Sequence, residues 1–113
     1  IEQHKPSIKI LIKNIEKLNC EKKVKLFSEN AINLKKIKKI RENKFNIIFL
    51  DPPYKEKNII LLLSEINEMN ILIDKGIIVL HRHKKSNDNF DSKFKILRTE
   101  NYGISNIIFG KFI

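Results

Sequence analysis

Asp51-Pro52-Pro53-Tyr54 combines a carboxylate, a stiffened backbone and an aromatic ring within four residues. Proline lacks an N–H and biases its predecessor toward extended backbone, so two in succession leave carbonyls free and the chain rigid. A carboxylate and the Pro52 carbonyl can both accept from an exocyclic NH2, while a tyrosine ring stacks on a planar base. This set suits the gripping of a planar group that bears an amine, and it names Asp51, Pro52, Pro53 and Tyr54 as candidate catalytic residues. As a phosphoryl-transfer or hydrolase acid, Asp51 would want phosphate-cradling glycines, a nucleophile elbow or a second carboxylate, and none is visible nearby.

Ile47-Ile48-Phe49-Leu50 precedes Asp51, an apolar run that predicts a strand buried on both faces with Asp51 at its C-terminal end. In open α/β sheets, ligands bind outside the carboxyl ends of the strands. His81-Arg82-His83-Lys84-Lys85 closes a second apolar run, Ile77 to Leu80. Alternation along a strand end sends His81 and His83 to opposite sides, a poor metal pair, so no metal site is expected. Arg82, Lys84 and Lys85 read instead as a basic rim able to touch phosphates.

The elements that must position these residues follow from apolar spacing. Ile8, Leu11, Ile12, Ile15 and Leu18 predict a helix from Ser7 with one buried stripe. Val24 to Phe27 predicts a short strand, and Leu34, Ile37 and Ile40 a second helix with a lysine-rich outer face. Ile59, Leu62, Leu63, Ile66 and Met69 predict a third helix, ended by a turn at Asp74-Lys75-Gly76. After a polar loop, Ser86 to Ser92, Phe94 to Thr99 and Ile104 to Phe112 predict an antiparallel hairpin. Helices alternating with short apolar strands imply an α/β sheet, mostly parallel, with the hairpin at its edge.

The chain has 113 residues and a net charge of +10, with a pI near 9.8, which favours a polyanionic partner such as RNA or DNA. Of its 23 basic residues only Arg41, Arg82 and Arg98 are arginine. The remainder is lysine amid abundant Ile and Asn, a bias an AT-rich genome produces by itself, so the charge is discounted. A single cysteine, Cys20, excludes an internal disulfide and suits a reducing, cytoplasmic setting. No stretch has the length of a membrane span and no signal peptide is visible, so no membrane partner is expected.

Asp51-Pro52-Pro53-Tyr54 resembles the (Asn/Asp)-Pro-Pro-(Tyr/Phe) motif of S-adenosylmethionine-dependent amino-methyltransferases. Along nearly its whole length the chain is similar to the C-terminal part of the RsmD family of 16S ribosomal RNA guanine-N2 methyltransferases. Ile1-Glu2-Gln3-His4 resembles the end of that family's second strand, Ile12-Lys13-Asn14-Ile15 its following helix, Ser28-Glu29-Asn30-Ala31 the turn after its third strand, and Tyr102-Gly103-Ile104-Ser105 its terminal hairpin turn. The resemblance implies a Rossmann-like class I methyltransferase sheet, with residues 1–113 forming the C-terminal part of one domain that lacks its first strand and most of the second. It also implies S-adenosylmethionine as cofactor, held by Glu2 at the ribose, Asn30 near the adenine, and Asp51. The expected nucleic-acid contacts are Tyr54 and the basic rim of Arg82, Lys84 and Lys85.

Two departures stand out. The family's glycine-rich cofactor loop is absent, with glycines only at 76, 103 and 110, and His81 stands where the family commonly has Glu. The expected reaction is methylation of a guanine N2 in 16S rRNA, by a monomer acting on ribosomal RNA or a small-subunit particle. The alternatives are an amino-methyltransferase acting on DNA adenine or cytosine or on protein glutamine, and a non-catalytic nucleic-acid-binding remnant.

Overall fold

The structure is a computed structural model, and it describes residues 1–53 and 55–113. Helix α1 (Lys5–Lys17) begins with Pro6 in its first turn, where the missing N–H is no loss. It stops at Asn19, whose φ of 51° puts it in the left-handed region that asparagine tolerates. There the Cys20 N–H donates to Ile15 O and the Asn19 N–H to Glu16 O, the paired bonds of a Schellman end. Contrary to the expected buried stripe, no α1 residue is buried: Leu11 is 38% and Ile12 44% exposed.

Val24 to Phe27 forms no strand and is tied to the N-terminus by a bond from Glu2 N to Phe27 O. The expected second helix becomes short 3₁₀ segments, Ala31–Lys36, kinked at Asn33, and Lys38–Ile40. The reason lies in the spacing. Leu34, Ile37 and Ile40 recur every third residue, the period of a 3₁₀ helix, and all three are buried.

Four strands follow in the spatial order β1-β2-β4-β3, with β1 (Phe45–Leu50), β2 (Leu72–His83), β3 (Phe94–Tyr102) and β4 (Ser105–Phe112). β1 pairs parallel with β2, reached through helix α2 (Ile59–Glu68), as a crossover connection requires. β2 then pairs antiparallel with β4, and β4 with β3, so the α/β sheet ends in the expected hairpin. Gly103, at φ +57°, opens the two-residue turn between Tyr102 and Ser105, a place for glycine at the first central position. Asp74-Lys75-Gly76 does not end the helical unit. Asn70, with φ 50°, does that, and residues 73–76 are an excursion inside β2, where pairing with β1 jumps from Phe45↔Leu72 to Ile47↔Ile77.

α2 buries Ile59, Leu62, Leu63 and Ile66 on one face of the sheet, against Ile78 and Leu80 of β2, Ile108 of β4 and the 3₁₀ turns. Gly110 lets the Phe94 ring lie against the β4 backbone; a Cβ there would fall 2.2 Å from Phe94 Cζ. The opposite face is barer than the apolar run suggested. Ile47 and Phe49 are 61% and 62% exposed, so β1 is covered on one face only, where Phe45, Ile48 and Leu50 are half-buried.

Candidate functional site

Asp51 and His81 leave the sheet side by side. The parallel register Phe49↔Val79 and Leu50↔Leu80 brings the two following residues next to each other at the carboxyl ends of β1 and β2. Leu80 turns into the core, so His81, one residue on, turns to the other face, where its Nδ1 lies 2.8 Å from Asp51 Oδ1. Both side chains keep substantial access to solvent, 60% for Asp51 and 36% for His81. Pro52 and Pro53 carry the chain out of the sheet, and the Glu56 N–H returns to Pro53 O. Tyr54, the aromatic member of the motif, lies outside the described residues.

A cleft of about 970 Å³ runs from this strand end toward the N-terminal residues. Its lining includes Glu2, Asn30, Asp51, Pro52, Pro53 and His81, so residues far apart in sequence reach one cavity. The size falls within the range of small-molecule and cofactor sites. Glu29 and Glu56 line it as well, with Lys25, Arg82 and the histidines His4, His81 and His83. The ionised lining is thus mainly acidic in a strongly basic chain.

Glu2 accepts the His4 backbone N–H at Oε1, 2.8 Å away, and that bond holds its carboxyl below the usual range. A weaker backbone contact from Gln3 acts in the same direction. The Asn30 Oδ1 accepts the Ile32 N–H at 2.9 Å and so caps the first 3₁₀ turn, while its Nδ2 remains a donor. One carboxamide can therefore hold the turn and offer a bond at the same time.

Arg82 is not part of a phosphate-binding rim. Its side chain is 4% exposed, Nε and Nη2 bond Asp88 at 2.7 and 2.9 Å, and Nη2 also bonds the Glu56 carbonyl at 2.9 Å. The cause is strand alternation, which places Arg82 on the same face as Ile78 and Leu80, with its charge met by Asp88 from the following loop. The sequence carried this signal in the period-two pattern, and the composition of the basic run obscured it. Arg82 instead ties the loop after Pro53 to the loop after β2. Lys84 and Lys85 are exposed.

Among the described residues, no group of three His, Cys, Asp or Glu side chains is placed to hold a metal ion, and no helix is long and apolar enough to cross a membrane. His81 as the partner of Asp51 was not foreseen. The two are 30 residues apart, and only the β1–β2 register brings them together.

Residues 1–111 match the family model described as Conserved hypothetical protein 95. A Bacillus subtilis (strain 168) protein named "Putative rRNA methyltransferase YlbH" is 29% identical over 102 residues, covering 89% of this chain and 55% of that protein. The chain thus spans about half the length of this curated relative. In fold it is similar to "putative methylase HI0767" from Haemophilus influenzae, with a TM-score of 0.76 at 19% identity over 96% of this chain and 68% of that one. A Streptococcus pyogenes conserved hypothetical protein gives 0.79 at 21% identity, covering 96% and 67%. With the match spanning nearly every residue, the chain belongs to the family described as Conserved hypothetical protein 95, the RsmD-like group that the sequence resembles along its length.

Proposed function

We propose that this chain carries the substrate side of an S-adenosylmethionine-dependent methyltransferase that modifies the exocyclic N2 of a guanine in 16S ribosomal RNA. The observation that carries the reading is the Asp51 carboxylate beside the Pro52 carbonyl, at the carboxyl end of β1 and within the cleft. The name of the Bacillus subtilis relative supports ribosomal RNA as the substrate class.

The cleft residues fit the cofactor. Glu2 offers a carboxylate oxygen to ribose hydroxyls, Asn30 a free amide N–H to adenine, and the acidic lining suits a sulfonium cation. When bound, S-adenosylmethionine supplies an electrophilic methyl group. The protein's task is then alignment. Asp51 and the Pro52 carbonyl accept the two N–H bonds of the guanine amine and so fix where its nitrogen points. The guanine must be splayed out of its stack to reach them, with Tyr54 as its stacking partner. Asp51 also accepts the proton that the amine gives up. Holding reacting atoms about 3–3.5 Å apart is worth several powers of ten in effective concentration. Lys84 and Lys85 supply phosphate contacts near the strand end. The reaction runs in the cytoplasm, on ribosomal RNA or a small-subunit particle.

The test is label transfer from methyl-tritiated S-adenosylmethionine to small-subunit rRNA, using the full reading frame that encodes this chain and identifying the labelled nucleoside. N2-methylguanosine is the expected product. Label on adenine, on cytosine or on a protein glutamine would reassign the substrate, and RNA binding without any transfer would leave a nucleic-acid-binding module.

A further inference from the structure

We propose that His81 is a positioning residue for Asp51: its Nδ1–H, 2.8 Å from Asp51 Oδ1, holds the carboxylate so that Oδ2 is the oxygen offered to the substrate amine. The inference rests on the amino-methyl-transfer reading of Asp51 and extends it to a residue that reading does not use.

Both backbones are pinned. Pro52 restricts Asp51 from the C-terminal side. His81 pairs with Ile107 of β4. Its neighbour Arg82 is buried and bonded to two loops, so the strand cannot pivot at this point. What remains free is the side chain of Asp51. Among the described residues no other hydrogen bond chooses the rotamer of this 60% exposed carboxylate or tells its two oxygens apart, and the imidazole does both.

Stability is not the reason for the pair. An ion pair or hydrogen bond this open to water contributes little to folding. Its value rises when a docked base excludes water from the cleft and the local dielectric falls. The pair is therefore built for the loaded site. For His81 to donate, the Nδ1–H form is required, which leaves Nε2 as the acceptor nitrogen; the tautomer is fixed by this bond and is open to measurement.

Two variants separate donation from bulk. His81→Asn keeps a donor near the Nδ1 position, and His81→Leu removes it. In the full reading frame, His81→Leu should lower kcat by about 10- to 100-fold, the size of one hydrogen bond to a charged group, with KM for RNA and cofactor nearly unchanged. His81→Asn should recover most of that loss. Wild-type kcat in His81→Leu, or equal losses in both variants, would overturn the assignment. A second readout needs no activity: ¹⁵N spectra of the His81 ring at about pH 8, where an ordinary imidazole is neutral. The Nδ1–H tautomer is expected in the wild type and the Nε2–H tautomer in Asp51→Ala; Nε2–H in the wild type overturns the proposal. Should the wild type transfer no methyl group, the reaction assigned above fails, while the tautomer still decides whether His81 holds Asp51.

Discussion

The two walls of the cleft are built differently. Asp51 and His81 stand on a wall of sheet and helix whose core includes Ile59, Ile66, Ile78 and Leu80, each nearly inaccessible to solvent. Glu2 and Asn30 stand on residues 1–30, where no side chain is buried and position depends on single bonds such as Glu2 N to Phe27 O and Ile32 N to Asn30 Oδ1. The cleft thus joins a half set on a buried core, to which we assign the substrate group, to a lightly packed half, to which we assign the cofactor. Buried register sets geometry in the first; local capping sets it in the second.

The largest blow to the half set on the core should come from Arg82→Met. It leaves the nearly buried Asp88 without its counter-charge and frees the Glu56 carbonyl, a loss of about 3–5 kcal/mol in denaturant unfolding. An unchanged midpoint would show that the tie between the two loops carries no weight. Leu80→Ala against Leu11→Ala sharpens the contrast. The first empties a fully buried position and should cost about 2–5 kcal/mol. The second touches a residue that is 38% exposed and should stay within about 0.5 kcal/mol. Equal losses would mean that α1 is packed as tightly as the sheet.

Glu2→Gln probes the lightly packed half. It should weaken S-adenosylmethionine binding by about tenfold in calorimetry, as expected for one hydrogen bond to a charged group, and leave the unfolding midpoint in place. The smallest effect belongs to Lys35→Met. The hydrogen-bonded pair lowers the Glu68 carboxyl and raises the Lys35 ammonium from their ordinary values. The Glu68 share of stability is therefore lost as pH falls through its depressed value, and the Lys35 share as pH rises through its raised one. The variant should show a slight loss of stability at neutral pH that vanishes in acid and in high salt.

The sequence made some of this legible for physical reasons. Asp51 was readable because an apolar run ending on an acid and two prolines has few other structural solutions, and α2 because Ile59, Leu62, Leu63 and Ile66 keep strict helical spacing. Leu34, Ile37 and Ile40 misled because three-residue spacing fits a 3₁₀ turn better than the α-helix assumed for it. Arg82 was misplaced by reading charge before alternation. The Asp51–His81 pair and the excursion at residues 73–76 depend on strand register, which no local pattern contains.

The most direct test is the methyl-transfer rate of Asp51→Ala beside the wild type, in the full reading frame and at saturating S-adenosylmethionine, with folding checked by circular dichroism. A fall of about 100- to 1000-fold, the usual cost of removing one preorganised polar group from a reacting centre, is predicted. A folded Asp51→Ala protein that methylates RNA at the wild-type rate would contradict the claim that the end of β1 grips the amine.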